Sequence, residues 1–475
     1  MKKSVFIPCS HAMLTFLFGA VLPVLTAALL PLSAQEEALS QNSRNPLLQS
    51  YIEEGLQSNL GLKQKQLDYA ADLAALKGAR GLFFPDVSLN ARYTMADGGR
   101  IIEFPVGDLL NPVYSTLNLI TGTSSFPQIE NEEFSFYRAR EHETKMTLVQ
   151  PVFSAELIHN YKIRKQGSEI TRISLERYKK ELVREITRAY YAYQKADQLL
   201  SLADTTEALV KENLRVSRSL FENDKVTRDA VFRSEAEVSK VEEEQARARN
   251  LLEVSRAYFN FLLNRSPDAR IELILEEPQP VLISLDRAVE TALNNREELN
   301  QIAAGRVLNK HLTSLYRGNN IPGLYGVVDY GFQGEEYRFT GEDDFVLASL
   351  VMRWNLFQGT VNRQKVQQSR IEADKLNEIY EETKAQIRLE VINGYYGLQA
   401  ACESVESARN QLRSARKAYA LIRRKYAEGQ ASLLELIDAR TSLTGASTRS
   451  IIARSDYFSK LADFEYATGT ISTAP

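Results

Sequence analysis

The stretch Arg188-Ala189-Tyr190-Tyr191-Ala192-Tyr193-Gln194 returns, altered, as Asn393-Gly394-Tyr395-Tyr396-Gly397-Leu398-Gln399, an offset of 396 − 191 = 205. Downstream the offset holds without a gap. Phe221 pairs with Tyr426, Thr227 with Ser432, Val231 with Leu436, Ala257 with Ala462 and Phe259 with Phe464. Upstream, Leu56 pairs with Leu293, Leu62 with Leu299 and Pro85 with Pro322, at 322 − 85 = 237, whereas Phe153 pairs with Phe357 at 204. The first half therefore carries 237 − 204 = 33 extra residues between its Pro and its Phe. They fall around Gly98 to Asn131, rich in Gly, Pro, Asn, Ser and Thr, which is loop chemistry. A repeat of this length implies two helix-rich halves.

Each half reads as a helix, a Pro, a strand, a loop, a second strand and two very long helices. Ala155 to Glu222 contains no Pro and a single Gly, Gly167. At 1.5 Å per residue that is roughly 100 Å of helix. The other long runs are Thr227 to Asn264, Thr360 to Glu428 and Leu433 to Thr468. Apolar positions such as Leu199, Leu202, Leu209 and Val210 recur at helical spacing among Lys, Arg, Glu and Gln, the pattern of coiled-coil-like packing. Short tips reverse the chain at Glu222–Thr227 and at Ala427–Ser432. Gly429 suits a left-handed C-cap. Ser432-Leu433-Leu434-Glu435 is a capping box opening the last helix, and Thr227 is the equivalent N-cap.

The strands alternate with period two. Val87, Leu89, Ala91 and Tyr93 share a face, as do Met146, Leu148 and Gln150, then Gly326, Val328, Tyr330 and Phe332, and finally Val346, Ala348, Leu350 and Met352. Runs of about ten residues cross a bilayer as tilted strands. Phe134, Phe136, Tyr137, Tyr325, Phe345, Trp354 and Phe357 gather at strand ends, suiting an interfacial girdle. Amphipathic hairpins of a soluble domain give the same alternation, so pattern alone leaves both readings open. Four strands cannot close a barrel, so membrane-length strands here need more from other copies; three copies give twelve.

The N-terminus reads as a secretory signal: Lys2 and Lys3, an apolar run from Met13 to Leu30, and Ala34 before Gln35-Glu36-Glu37. No later run approaches ~18 apolar residues. Cys402 is the only cysteine after Cys9, so the mature chain has no means for an internal disulfide. A net charge of −3 gives no footprint for nucleic acid. His11, His142, His159 and His311 are scattered, and no catalytic or phosphate-binding motif is present, so no enzyme, cofactor or metal site is expected. Glu242-Glu243-Glu244 reads as a solvated helix face.

Leu148-Val149-Gln150-Pro151-Val152-Phe153 and its twin Leu350–Gly359 resemble the outer-membrane efflux protein family, often called TolC-like. Lys425–Ala439 resembles the family's Tyr-x-x-Gly turn and the helix start after it. The likeness runs over the whole mature chain. It implies a mainly α fold with transmembrane β: a trimeric 12-stranded β-barrel in the outer membrane continued by a long α-helical periplasmic barrel. It implies an exit duct of a tripartite efflux or type I secretion system, moving small molecules or proteins, with a periplasmic adaptor, an inner-membrane transporter and outer-membrane lipid as partners. The domains expected are a signal peptide at 1–34, a first repeat at 35–265, an equatorial linker at 266–285 and a second repeat at 286–475.

By the same resemblance, Glu435 and Asp438 form an acidic ring at the periplasmic entrance, six carboxylates in a trimer. Both residues also suit a capped first helical turn. Tyr426 matches the family's closing Tyr, but the closing Arg is Ala431 here and its acidic partner aligns near Ala230. Arg228 and Asp229 are the candidates to substitute. Adaptor docking is expected at Asn223, Asp224, Lys225, Val226, Glu428, Gly429, Gln430 and Ala431. The extra segment, about Met95 to Glu141, is expected outside the cell. The alternative is a periplasmic adaptor or coiled-coil scaffold without a pore.

Overall fold

The computed structural model describes residues 45–279, 283–428 and 430–473, all within the unit Arg44–Pro475. The expected signal peptide and Gly429 lie outside the described residues. Two helices come first, α1 (Pro46–Ser58) and α2 (Leu60–Gly81), followed by β1 (Asp86–Met95). A small module of β2 (Ile101–Phe104), α3 (Val106–Thr121) and β3 (Glu132–Ser135) precedes β4 (Arg140–Phe153). The first long pair is α4 (Ala155–Glu222) and α5 (Arg228–Leu262). The second half runs α6 (Leu285–Asn295), α7 (Glu297–Gly318), β5 (Gly323–Gly334), β6 (Asp344–Arg353), α8 (Val361–Ala427) and α9 (Leu433–Thr468).

The long helices are 68, 35, 67 and 36 residues. Their exposed faces carry i,i+3 and i,i+4 pairs such as Glu169–Arg172 and Glu207–Lys211, each worth a few tenths of a kcal/mol. Tertiary packing therefore carries the length. α4 packs on α5, α8 on α9, and α4 on α9, so the pairs form the row α5–α4–α9–α8.

The core lies midway along α4, where Tyr190, Ile186, Phe259, Leu48, Ile52 and Leu62 are almost wholly buried. Tyr51 meets Phe259 edge-on at 5.2 Å, and Tyr191 stacks on Phe458 of α9 at 4.3 Å. The segment after α5 is strapped across this belt. Tyr51 Oη accepts from Glu272 N–H at 2.9 Å, Tyr190 Oη accepts from Ile274 N–H at 3.0 Å, and Ile271 is buried beneath.

Local contacts recur at the repeat offsets. Asn59, between α1 and α2, donates to Leu262 O at 2.8 Å. Arg296, between α6 and α7, donates to Ala467 O at 3.2 Å; 296 − 59 = 237 and 467 − 262 = 205. Asn264 ends α5 at φ 54° and Gly469 ends α9 at φ 71°, again 205 apart. Asn tolerates the left-handed region because its short polar side chain bonds locally, and Gly because it has no Cβ.

β1, β4, β5 and β6 form one antiparallel sheet in the order β1-β4-β5-β6, leaving β1 and β6 as edges. Its register aligns Leu89, Met146, Tyr330 and Val346 across one face, with the neighbouring row Val87, Leu148, Val328 and Ala348. Most of these apolar side chains are exposed. The opposite face is polar: Glu143 pairs with Arg92 at 3.5 Å and with Lys145 at 2.9 Å, and Lys145 reaches Asp329 at 3.9 Å. Gly331 faces Lys145, and a Cβ there would lie 2.5 Å from the Lys145 Cβ, so glycine is what lets the lysine cross to Asp329.

The inserted segment is more ordered than loop chemistry suggests. Asn111 clamps Ile129 through both carbonyl and amide, at 2.9 and 2.8 Å, and Asn118 clamps Phe126 likewise, at 3.1 and 2.7 Å. Two asparagines read as loop formers thus hold the returning chain against a helix. Phe134, Phe136 and Tyr137 belong to this module rather than to the end of the main sheet. Thr227 stands at the N-cap of α5, but its hydroxyl turns to Asp229 and no side-chain cap bond forms.

Truncating Phe259, which is wholly buried and meets both Tyr51 and Tyr190, is expected to cost about 3–5 kcal/mol. Thermal unfolding followed by circular dichroism checks this; a midpoint unchanged in Phe259→Ala would place the stabilising core elsewhere.

Candidate functional site

The two helical tips share one backbone hydrogen bond. Lys225 N–H donates to Leu220 O at 2.8 Å, and Gln430 N–H donates to Lys425 O at 2.8 Å, residues 205 apart in both cases. These are the long bonds of Schellman turns. The first tip needs a left-handed residue and takes it at Asp224, φ 53°; the matching position is Gly429. Asn223, Asp224, Lys225, Glu428 and Gln430 are exposed, while Val226 and Ala431 are half-buried. Behind the first tip, the Ser217 and Ser234 hydroxyls meet at 3.0 Å in a buried contact, and Arg218 donates to Glu235 at 2.8 Å.

Glu435 and Asp438 are exposed on adjacent turns of α9, three residues apart and so on one face. The capping box forms. Ser432 Oγ accepts from Glu435 N–H at 3.3 Å, and the Glu435 carboxylate accepts from Ser432 N–H at 2.6 Å and from its hydroxyl at 2.9 Å. These bonds, and then the charge of Lys425, hold the Glu435 carboxyl below its ordinary range. Tyr426 is half-buried, which pushes its phenol up. Arg228 lies over the Phe232 ring at 5.3 Å, and Asp229 faces Arg233 at 3.6 Å, so within one chain both engage their own helix.

Sequence reasoning missed the charged link between the halves. Arg440, on α9 and only 5% exposed, donates to Glu237 of α5. The partners are 203 residues apart, off the repeat offset, so no periodic signal marks them. Beside them, α4, α5 and α9 enclose a cavity of about 540 Å³ lined by Leu199, Leu202, Val241, Lys240, Thr444 and Arg449 among others. Among the described residues, no cluster of His, Cys, Asp or Glu has metal-holding geometry, and no helix is long and apolar enough to cross a membrane.

An open antiparallel sheet with one apolar face is thus continued by four helices far longer than itself. Residues 288–470 match the family model described as outer membrane efflux protein. It is 20% identical to outer membrane protein TolC of Salmonella enteritidis over 445 residues, covering 90% of this chain and 82% of the relative. Among solved structures, it superposes on the Campylobacter jejuni CmeC outer membrane channel with a TM-score of 0.74 at 14% identity, covering 89% of this chain and 85% of that one. The open state of the Neisseria gonorrhoeae MtrE outer membrane channel gives 0.69 at 16% identity, covering 89% of each. These structural likenesses show the fold.

Because glutamine can accept the same bonds, Glu435→Gln is expected to keep the cap while removing its charge, whereas Glu435→Ala removes both. The carboxyl sits lower in the folded chain than in the unfolded one. Its contribution is therefore complete at neutral pH and fades as pH falls through the lowered value. Amide exchange of Leu433 to Leu436 should quicken several-fold in Glu435→Ala at pH 7 and stay near wild type in Glu435→Gln. Equal protection in all three would show that the box holds nothing.

Proposed function

We propose that three copies of this chain form an outer-membrane exit duct, a twelve-stranded barrel opening into a helical tunnel, and that the chain arose by duplication. One observation carries this reading. The contact that joins the two halves inside the chain has a matching, uncovered contact at the two ends of the helix row. Within the chain, α4 meets α9 through Tyr191 stacked on Phe458, Arg188 with Asp463 at 3.5 Å, and Lys195 with Asp456 at 4.0 Å. Shifted by 205, the α4 residues become Tyr396, Asn393 and Ala400 on α8, and the two aspartates become Tyr258 and Leu251 on α5.

Those positions lie on the outermost helices, and they are exposed. Leu251, Val254, Tyr258 and Phe261 follow 3-4-3 spacing along α5, and Leu389, Ile392 and Tyr396 follow 3-4 spacing along α8, exposed by 37–71%. Both ion pairs of the internal contact are lost at the matching positions, where Asp463 and Asp456 give way to Tyr258 and Leu251 and Lys195 to Ala400, while Arg188 becomes Asn393 and Phe458 becomes Glu253. An α5 stripe meeting the next copy's α8 stripe is a head-to-tail contact, which closes into a ring. The sheet supports the same sense of assembly, because its edges β1 and β6 are ten residues each and match in length.

In that ring the apolar face of the sheet meets lipid, and the Arg92, Glu143, Lys145 and Asp329 face lines the lumen. Glu435 and Asp438 of three copies make the periplasmic entrance ring. Tyr426 with Arg228 or Asp229 closes it between copies, and the exposed tips of both hairpins dock a periplasmic adaptor that links the duct to an inner-membrane transporter. The cargo is a small molecule or an exported protein. Residues 35–265 and 286–475 are the two repeats, joined by the strap at 266–285.

Purified protein in planar bilayers tests the duct. The expected pores are cation-selective and blocked by divalent ions. In Glu435→Gln/Asp438→Asn, block is expected to weaken on the order of tenfold, since six charges leave the ring. Block that survives the double substitution moves the constriction elsewhere, and protein that never forms pores favours a scaffold. For the interface, Tyr258→Asp with Tyr396→Asp is expected to leave helicity intact and convert trimers to monomers by light scattering. Trimers that persist would sink the head-to-tail contact.

A further inference from the structure

The cavity between α4, α5 and α9 is lined by residues of one chain, of which only Leu251 also belongs to the α5 stripe of the proposed interface. Its 540 Å³ lies within the ~300–1,000 Å³ span of small-molecule sites. Its walls divide by chemistry. Leu199, Leu202, Val241 and Leu251 give an apolar side, while small residues of α9, Thr444 and Gly445 among them, leave the space open. Lys240, Arg440 and Arg449 face Glu237 and Glu244, an excess of 3 − 2 = 1 positive charge, and Arg247 beside them is paired with Glu243.

Arg440 is the built element. It is held by Glu237, yet its Nε–H is buried with no hydrogen-bond partner among the described residues. Buried donors in folded proteins are nearly always bonded, and a cationic one beside an open apolar space is a strong site for an acceptor. One such donor suits a singly charged head. The basic groups favour an anion more than Glu237 and Glu244 oppose one, and the two carboxylates would repel a polyanion such as a nucleotide.

We propose that this cavity binds an amphipathic monoanion, a carboxylate or sulfonate with a short apolar body. The head accepts from Arg440 Nε–H, and the body lies against Leu199, Leu202 and Val241. The groups that hold the head and the body, Arg440, Leu199, Leu202 and Val241, all belong to one chain and lie off the α5 stripe, so the binding test is separate from the test of the assembly.

Equilibrium dialysis of the protein in a non-ionic detergent, with radiolabelled octanoate as probe and empty micelles subtracted, tests this. The expected result is saturable binding of one octanoate per chain, not displaced by the neutral analogue octanamide. Arg440→Gln should weaken it about tenfold or more. Thr444→Phe, which fills the space without touching a charge, should abolish it, and Arg440→Lys should retain part of it. Circular dichroism of each variant confirms the helical fold. Wild-type binding that does not saturate, equal competition by octanamide, or undiminished binding in Thr444→Phe would each overturn the proposal.

Discussion

The unpaired backbone of two strands constrains everything else in this molecule. β1 and β6 end the sheet with rows of N–H and C=O groups that no other strand among the described residues pairs with. In hydrocarbon such groups cost several kcal/mol each, so a spanning sheet must close. The apolar outer rows, Leu89 to Val346 and Val87 to Ala348, make hydrocarbon the fitting surroundings. In the proposed duct, closure comes from other copies, and the helices below must then present partners of their own at the same two sides. They do so on α5 and α8, the outer members of the row.

The equatorial belt makes that geometry rigid. Four helices of such length would shear past one another if only surface ion pairs joined them, because exposed pairs are worth little. Tyr190, Phe259, Tyr191 and Phe458 instead lock α4, α5 and α9 at one height, and the strap through Ile271 and Ile274 crosses them there. Arg296 adds a polar lock, reaching Glu298 at 2.9 Å, Glu390 at 2.8 Å and the Ala467 carbonyl. Toward the tips this packing gives way to smaller contacts such as Ser217 with Ser234.

Much of this was legible in the sequence. Ala155–Glu222 and Leu433–Thr468 read as helices and fold with those bounds, because runs without Pro and nearly without Gly end at residues that cap. The capping box at Ser432 was legible because its chemistry is local. α3 was not, since Asn111, Pro112 and Asn118 bias a chain toward turns until the returning segment occupies the asparagine side chains. Thr227 shows the limit of a cap signal: Asp229, two residues on, takes the hydroxyl that would have capped. Arg440 with Glu237 was invisible, because a pair that breaks the repeat can be found only in three dimensions.

That break in the repeat bears on how the tips behave. The repeat offset carries Glu237 to Ser442 and Arg440 back to Glu235, which pairs instead with Arg218 inside its own hairpin. The two hairpins are therefore not equivalent near the tips. The first is tied to itself, and the second is tied to the first through a buried guanidinium. In the proposed ring, hairpins that differ in this way need not open all at once, because the buried tie near the tips is a separate link in each chain. Removing a buried charge's partner costs more than losing a surface pair, so these links resist release until something else engages the arginine. The cavity beside Arg440 places an anion site at that link, where binding and release would compete for the same guanidinium.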